Sequence, residues 1–245
     1  MENVLELRTN STPEEVQNLI RGAYRQVWGN PHVMESERLV AAESQLCNRA
    51  ISVREFVRLL AKSEFYRRRH FESCAPYRFV ELNFLHLLGR APQDQQEVSA
   101  HIVRCHAEGY DAEIDSYLDS DEYKAAFGEN TVPYVRGNRS EANAKQVGYN
   151  RIFALDRGPA QVSSAVTGSQ LVYGVATNTA NVIRPARVTF TSGTEKAFRI
   201  EVFGGKMGNM RRSRTEYRVT KANMTAQIQQ ILRSGGKIAS ITETL

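Results

Sequence analysis

Helix starts recur through the first half of this chain, and strand alternation does not. Thr12-Pro13-Glu14-Glu15 supplies an N-cap threonine, a proline at the first helical position and a glutamate placed to close a capping box. Val16, Leu19, Ile20, Ala23, Tyr24 and Val27 follow at helical spacing, and Gly29 can end the helix in the left-handed conformation. A shorter helix is expected from about Glu37 to Cys47. Ser52-Val53-Arg54-Glu55 repeats the box and opens a third, with Val53, Phe56, Val57 and Leu60 on one face. PYRFVELNFLHLLGRAP (76–92) starts on proline, has an apolar body and stops at Gly89, with Pro92 beyond. Phe84, Leu87 and Leu88 read as core. Further helical patterns cover 93–108, where Val98, Ile102 and Cys105 align, and 111–127, broken near Ser120. Residues 1–137 thus read as an all-α domain of about six helices.

The pattern dissolves after Gly137. Asn, Ser, Thr, Gly and Ala dominate 138–194, which predicts a flexible connector. RIFALDRG (151–158) is its one apolar segment and is placed to dock on a partner. Order returns within 195–245. FRIEVF (198–203) and TEYRVT (215–220) alternate as strands, Ala222–Arg233 has helical spacing, Gly235-Gly236 stops it, and KIASIT (237–242) is a third strand. The β-β-α-β order predicts a small α+β domain, a three-stranded sheet covered by one helix. GGKMGNMRRSRTEYRV (204–219) then places Arg211, Arg212 and Arg214 at the hairpin between two strands, where a scaffold presents binding residues.

Charge divides at the same place. The net charge of +5 splits into −4 for residues 1–150 and +9 for 151–245, so an acidic partner belongs to the C-terminal part. No apolar run approaches the ~18 residues a membrane span needs, and MENVLELRTN has no signal-peptide pattern. Three cysteines, Cys47, Cys74 and Cys105, form no CxxC pair, as suits a reducing compartment.

Catalytic and metal chemistry find little to stand on. His101 and Cys105 are i,i+4 neighbours, but no second ligand cluster completes a four-ligand site. Cys74, near His70 and after Arg67-Arg68-Arg69, is the one candidate for a reactive thiol or an attached chromophore. GGKMG (204–208) leads into no helix and cannot cradle phosphate as a P-loop does. No cofactor and no enzymatic activity are expected. A basic nucleic-acid-binding module is the rival reading for the C-terminal part. It lacks the aromatic RNP pattern: Phe198 and Phe203 fall on opposite faces of their strand.

Several long segments in one order carry a resemblance. YRQVWGN, SERLVAAESQL, ISVREFVRLLAKSEFYR, ELNFLHLLGRAP, GYDAEIDSYLDSDEY and FGENTVPYVRG together resemble the large domain of phycobilisome linker polypeptides. RRSRTEYRV followed by IQQILRSGGKIASIT resembles the small CpcD-like linker domain. The combination is similar to rod linkers, which carry both. The resemblance implies an assembly protein in the central channel of phycobiliprotein α/β hexamers of phycocyanin or phycoerythrin type. Neighbouring linkers are the other implied partners, and nucleic acid is not one. It implies bilins held nearby by the partner, none bound covalently here, and a place at the cytoplasmic or stromal thylakoid surface. Arg67, Arg68, Arg69, Tyr77, Arg78, Arg90, Arg211, Arg212, Arg214 and Tyr217 are its implied partner-binding residues.

Overall fold

The computed structural model describes residues 4–139, 146–180, 197–204, 206–207, 210–211, 214–221 and 223–244. They form two compact units, divided between Val182 and Ile183.

The first unit is helical. Helix α1 (Pro13–Val27) has the full capping box: Thr12 Oγ1 accepts from the Glu15 amide, and Glu15 returns the bond to the Thr12 amide. Its apolar stripe buries Val16, Leu19, Ile20, Ala23, Tyr24 and Val27. Helices α2 (Val40–Cys47) and α3 (Val53–Ala61) follow, the latter capped by Ser52. A 3-10 turn at Glu35–Glu37 stands where the sequence suggests the start of the second helix.

Two helices then change pitch midway. α4 (Glu64–Tyr66) continues as a π-helix over Arg67–Glu72, and α5 (Pro76–Asn83) continues as a π-helix over Phe84–Leu88. No helix is assigned to the first from the sequence. Ser63 caps α4 through the Tyr66 amide, a start signal masked by the polar RRRH run behind it. At the end of the second, Gly89 is left-handed (φ 67°), and a Cβ there would lie 1.9 Å from the Tyr134 carbonyl oxygen. No other residue fits.

Helices α6 (Gln95–Glu108), α7 (Tyr110–Leu118) and α8 (Asp121–Ala126) complete the bundle, the last two separated at Ser120 as expected. The core centres on Trp28, Phe56, Leu60, Tyr66, Phe84 and Tyr117. Trp28 stacks on Phe65 at 4.0 Å, and its Nε1 donates to the Leu60 carbonyl at 3.1 Å. Each such side chain contributes ~1.5–3 kcal/mol of apolar burial.

The connector reading needs correction over residues 146–178. α9 (Gln146–Leu155) and α10 (Val172–Ala176) pack onto the helical unit, and Ile152, Leu155, Leu171 and Val175 join its core. RIFALDRG docks on its own domain, because Ile152 and Leu155 have apolar surface to cover there. The remainder of the 138–194 reading, 140–145 and 181–194, lies outside the described residues.

The second unit is the expected small α+β domain. β1 (Ala197–Phe203) is central, flanked antiparallel by β4 (Arg214–Thr220) and β5 (Lys237–Thr244). β2 (Lys206–Met207) and β3 (Met210–Arg211) form a separate short ribbon between β1 and β4 in the chain. Helix α11 (Met224–Arg233) contributes Ile231 to a core of Ile200, Val202 and Val219.

Candidate partner-binding surfaces

The sheet register sorts the basic residues of the small unit. Ile200, Val202, Tyr217 and Val219 point toward α11 with Phe198. By alternation, Arg199, Glu201, Arg214, Glu216 and Arg218 lie on the open face. Rows of like charge oppose each other, Arg199 with Arg218 and Glu201 with Glu216. The ion pairs therefore run diagonally: Arg199 to Glu216, and Arg214 Nη2 to Glu201 Oε1 at 2.9 Å. Arg214 holds the Glu201 carboxyl below the usual carboxylate range. With three arginines against two glutamates, the face keeps an excess of positive charge that can steer an acidic partner. Spacing alone does not reveal this face, since it takes the register of two strands to place Arg199 and Arg218 side by side.

The hairpin arginines divide. Arg214 is exposed at the start of β4, and Arg211 lies on β3, while Arg212 falls outside the described residues. Tyr217 is corrected: it pairs with Ile200 and packs on the small core, so the sheet uses its ring internally.

The implied residues of the helical unit do not form one patch. Arg68 is exposed and bridges to Glu64 at 2.7 Å, one turn back. Arg67 pairs with Glu72 at 3.4 Å and lies over the Tyr110 ring, whereas Arg69 lies over Phe65 at 4.2 Å. Tyr77 is exposed and available. Two residues are corrected. Arg78 is fully buried, pairing with Glu81 at 3.2 Å, and cannot face a partner. Arg90 is only 12% exposed and is consumed by Glu97, by Glu122 at 2.6 Å and by the Phe84 ring at 4.8 Å. Exposed Phe153, Val172 and Tyr173, on helices the sequence reading did not assign, add apolar surface.

The candidate chemical residues are tied into the fold. His101 Nδ1 lies 3.0 Å from Glu113 Oε1, and its ring stacks on Tyr117. Burial pushes the Cys105 thiol up, away from reactivity. Cys74 and Cys105 line an apolar cavity of about 360 Å³ with Phe71, Phe79 and Ile102. Among the described residues, no three His, Cys, Asp or Glu side chains converge on a metal site, and no helix is long and apolar enough to cross a membrane.

The described residues thus combine a helical unit with a small three-stranded α+β unit whose open sheet face carries an excess of arginine. Two family profiles match the chain: Phycobilisome Linker polypeptide over residues 11–136 and CpcD/allophycocyanin linker domain over 196–244. The chain is 69% identical to the "Phycobilisome 27.9 kDa linker polypeptide, phycoerythrin-associated, rod" of Microchaete diplosiphon, across 99% of this chain and 98% of that protein. It is 43% identical to a phycocyanin-associated rod linker of Synechocystis and 42% identical to a phycoerythrocyanin-associated one of Mastigocladus laminosus, each over 97% of this chain and 92% of the relative. The chain belongs to the phycobilisome linker polypeptide family. These matches support a rod linker over a nucleic-acid binder.

Proposed function

We propose that this chain is a non-enzymatic rod linker that joins successive phycobiliprotein hexamers, of phycoerythrin type. The helical unit seats in the channel of one hexamer, and the small unit engages the next. Arg214 and Arg218 on the open sheet face, with Arg211 and Arg212 just before them in sequence, meet acidic side chains of that wall. Exposed ion pairs contribute only ~0–1 kcal/mol each, so they orient the encounter, and apolar and aromatic contacts supply the affinity. On the helical unit, Arg67, Arg68 and Tyr77 are the exposed anchors, with half-buried Arg69 beside them. The bilins belong to the partner, and their surroundings change when the linker is seated. The assembly lies at the cytoplasmic or stromal thylakoid surface.

One observation carries the rod-linker reading, that both linker regions occur in one chain. The phycoerythrin assignment rests on the 69% identity to one phycoerythrin-associated rod protein, while another phycoerythrin-associated relative, at 43%, falls among the 39–43% of those named for phycocyanin and phycoerythrocyanin. The test is co-sedimentation with phycoerythrin and with phycocyanin hexamers separately. Saturable binding and rod growth with phycoerythrin are expected, and deleting 191–245 leaves linker-bound hexamers that do not stack. Tight RNA binding with no affinity for either biliprotein would overturn the proposal.

A further inference from the structure

Residues 157–178 run as a strap over the helical unit, and buried ionic side chains hold it from beneath. Glu81 on α5 is 2% exposed. Three groups of the strap donate to its carboxylate: Ser169 Oγ at 2.6 Å, the Gln170 amide at 3.0 Å and the Leu171 amide at 2.8 Å. Arg78, fully buried on the same helix, donates from Nη1 to Glu81 and from Nε to the Val166 carbonyl at 3.1 Å. From α9, Arg151 donates to the Gln93 carbonyl at 2.7 Å and to the Gly174 carbonyl at 2.6 Å. His86 Nε2 lies 3.0 Å from Ser163 Oγ, and a Cβ at Gly29 would sit 2.5 Å from that oxygen, so the strap passes too close for a side chain there.

A buried carboxylate and guanidinium are costly unless paired and hydrogen-bonded. Among the described residues Arg78 Nη2 has no partner, so the bonds to Glu81 and Val166 are the ones that hold this guanidinium. Lifting the strap would strip Glu81 of three donors and Arg78 of an acceptor while exposing Leu171 and Val175. The pair and the strap therefore hold or release as one.

We infer that this strap sets the reach between the two units, with Glu81 as its latch. With the strap closed, the covalent tether to β1 is residues 179–196, which at ~3.5 Å per extended residue spans at most ~60 Å. A chain free from residue 157 onward could span ~140 Å. A shorter tether raises the effective concentration of the second unit at a site within range and forfeits sites beyond it. Spacing is thus written into the helical unit through Glu81 and Arg78, which are buried and do not touch a partner.

Hydrogen exchange on the full chain tests the latch. The Gln170 and Leu171 amides are expected to be protected like those of α5. Glu81→Gln should speed exchange across 163–176 by ~100-fold while α1 and α3 keep their protection. Spin labels on exposed Cys47 and on Lys221→Cys, with Cys74 and Cys105 changed to serine, read the distance between units. That distribution should lengthen and broaden in Glu81→Gln. If this variant unfolds the whole unit, Ser169→Ala removes one hydrogen bond to the same carboxylate and should shift both readouts less, in the same direction. Strap amides that exchange like unstructured chain in the unaltered protein, or distances unmoved by strap release, overturn the inference. Neither readout involves a phycobiliprotein, so its outcome is separate from that of the rod-linker proposal.

Discussion

The imidazole rings of His70 and His86 meet edge to face with centroids 5.0 Å apart, one contributed by each π-helical segment. Both are buried, and burial holds both below the ordinary histidine range, His70 at about 4 and His86 well down. The nearby cations of Arg69 and Arg78 push His70 the same way, and the Trp28 carbonyl, 3.2 Å from its Nε2, opposes them. His86 sits between the Tyr66 hydroxyl at 3.1 Å and Ser163. Among the described residues, neither imidazole has a carboxylate within hydrogen-bonding distance to welcome a proton.

Acid should therefore weaken the helical unit before its carboxylates titrate. A histidine whose folded pKa lies below its unfolded value binds its proton preferentially in the unfolded chain. Its stabilisation is complete above about pH 6.5 and is lost as pH falls toward 4, by up to ~1.4 kcal/mol per pH unit for each histidine. Asp119, held below the usual range by Arg58, adds its own loss only below about pH 4. Urea midpoints from pH 7.5 to 4.5 measure this. The midpoint should fall with pH, and less steeply in His70→Gln. A flat profile down to pH 5 would contradict the burial argument.

Arg90 has a structural task, and its loss should appear as instability. Glu97, Glu122 and the Phe84 ring surround it, and Arg136 shares Glu122. Arg90→Ala leaves Glu97 without its cation and Glu122 with Arg136 alone, and should cost about 3 kcal/mol. Chemical denaturation monitored through Trp28 should show the drop. Biliprotein affinity, measured where the variant is still folded, should change less than twofold. A binding defect with unchanged stability would return Arg90 to the partner surface.

Local signals carried most of the helical unit, because caps and apolar spacing are written within a few residues of each other. Thr12 with Glu15, Ser52 with Glu55, and Gly89 are of this kind. What they could not show depends on distance in sequence. Glu81 and Leu171 meet across ninety positions, and nothing near either one announces the other. The polar composition of 157–170 looks like a free connector because its backbone, not its side chains, makes most of the anchoring bonds. The same limit misplaced Arg78 and Arg90: their motifs suggest a shared surface, while their burial depends on partners elsewhere in the chain. In the small unit the sequence pointed Tyr217 toward a partner and Arg214 into the hairpin, and only the strand register turned Tyr217 onto the core and revealed the charged rows on the opposite face.

The small unit should unfold on its own and easily. Its fully buried core among the described residues is Ile200, Val202, Val219 and Ile231, little for a unit of this size. Ile231→Ala removes ~2–4 kcal/mol, comparable to all the stability such a core supplies. Amide exchange over β1, β4 and β5 should reach unprotected rates in this variant, with α1 to α8 unaffected. Simultaneous loss of both units would mean that they fold as one.

Truncation distinguishes the family region from the folding unit. A fragment ending at residue 139 contains the matched linker region but lacks the strap. It would expose apolar surface beneath Ile152, Leu155, Leu171 and Val175 and leave Glu81 and Arg78 without strap partners. A fragment ending at residue 180 retains all of these contacts. The longer piece should unfold cooperatively at a denaturant midpoint close to that of the helical unit in the full chain, whereas the shorter should lose several kcal/mol and tend to aggregate through the uncovered face. Circular dichroism melts of the two, run beside the full chain, give the comparison. Equal stability of the shorter and longer fragments would show that the strap lies on the helical unit without supporting it, and the position from which the second unit is tethered would then no longer be fixed by the fold.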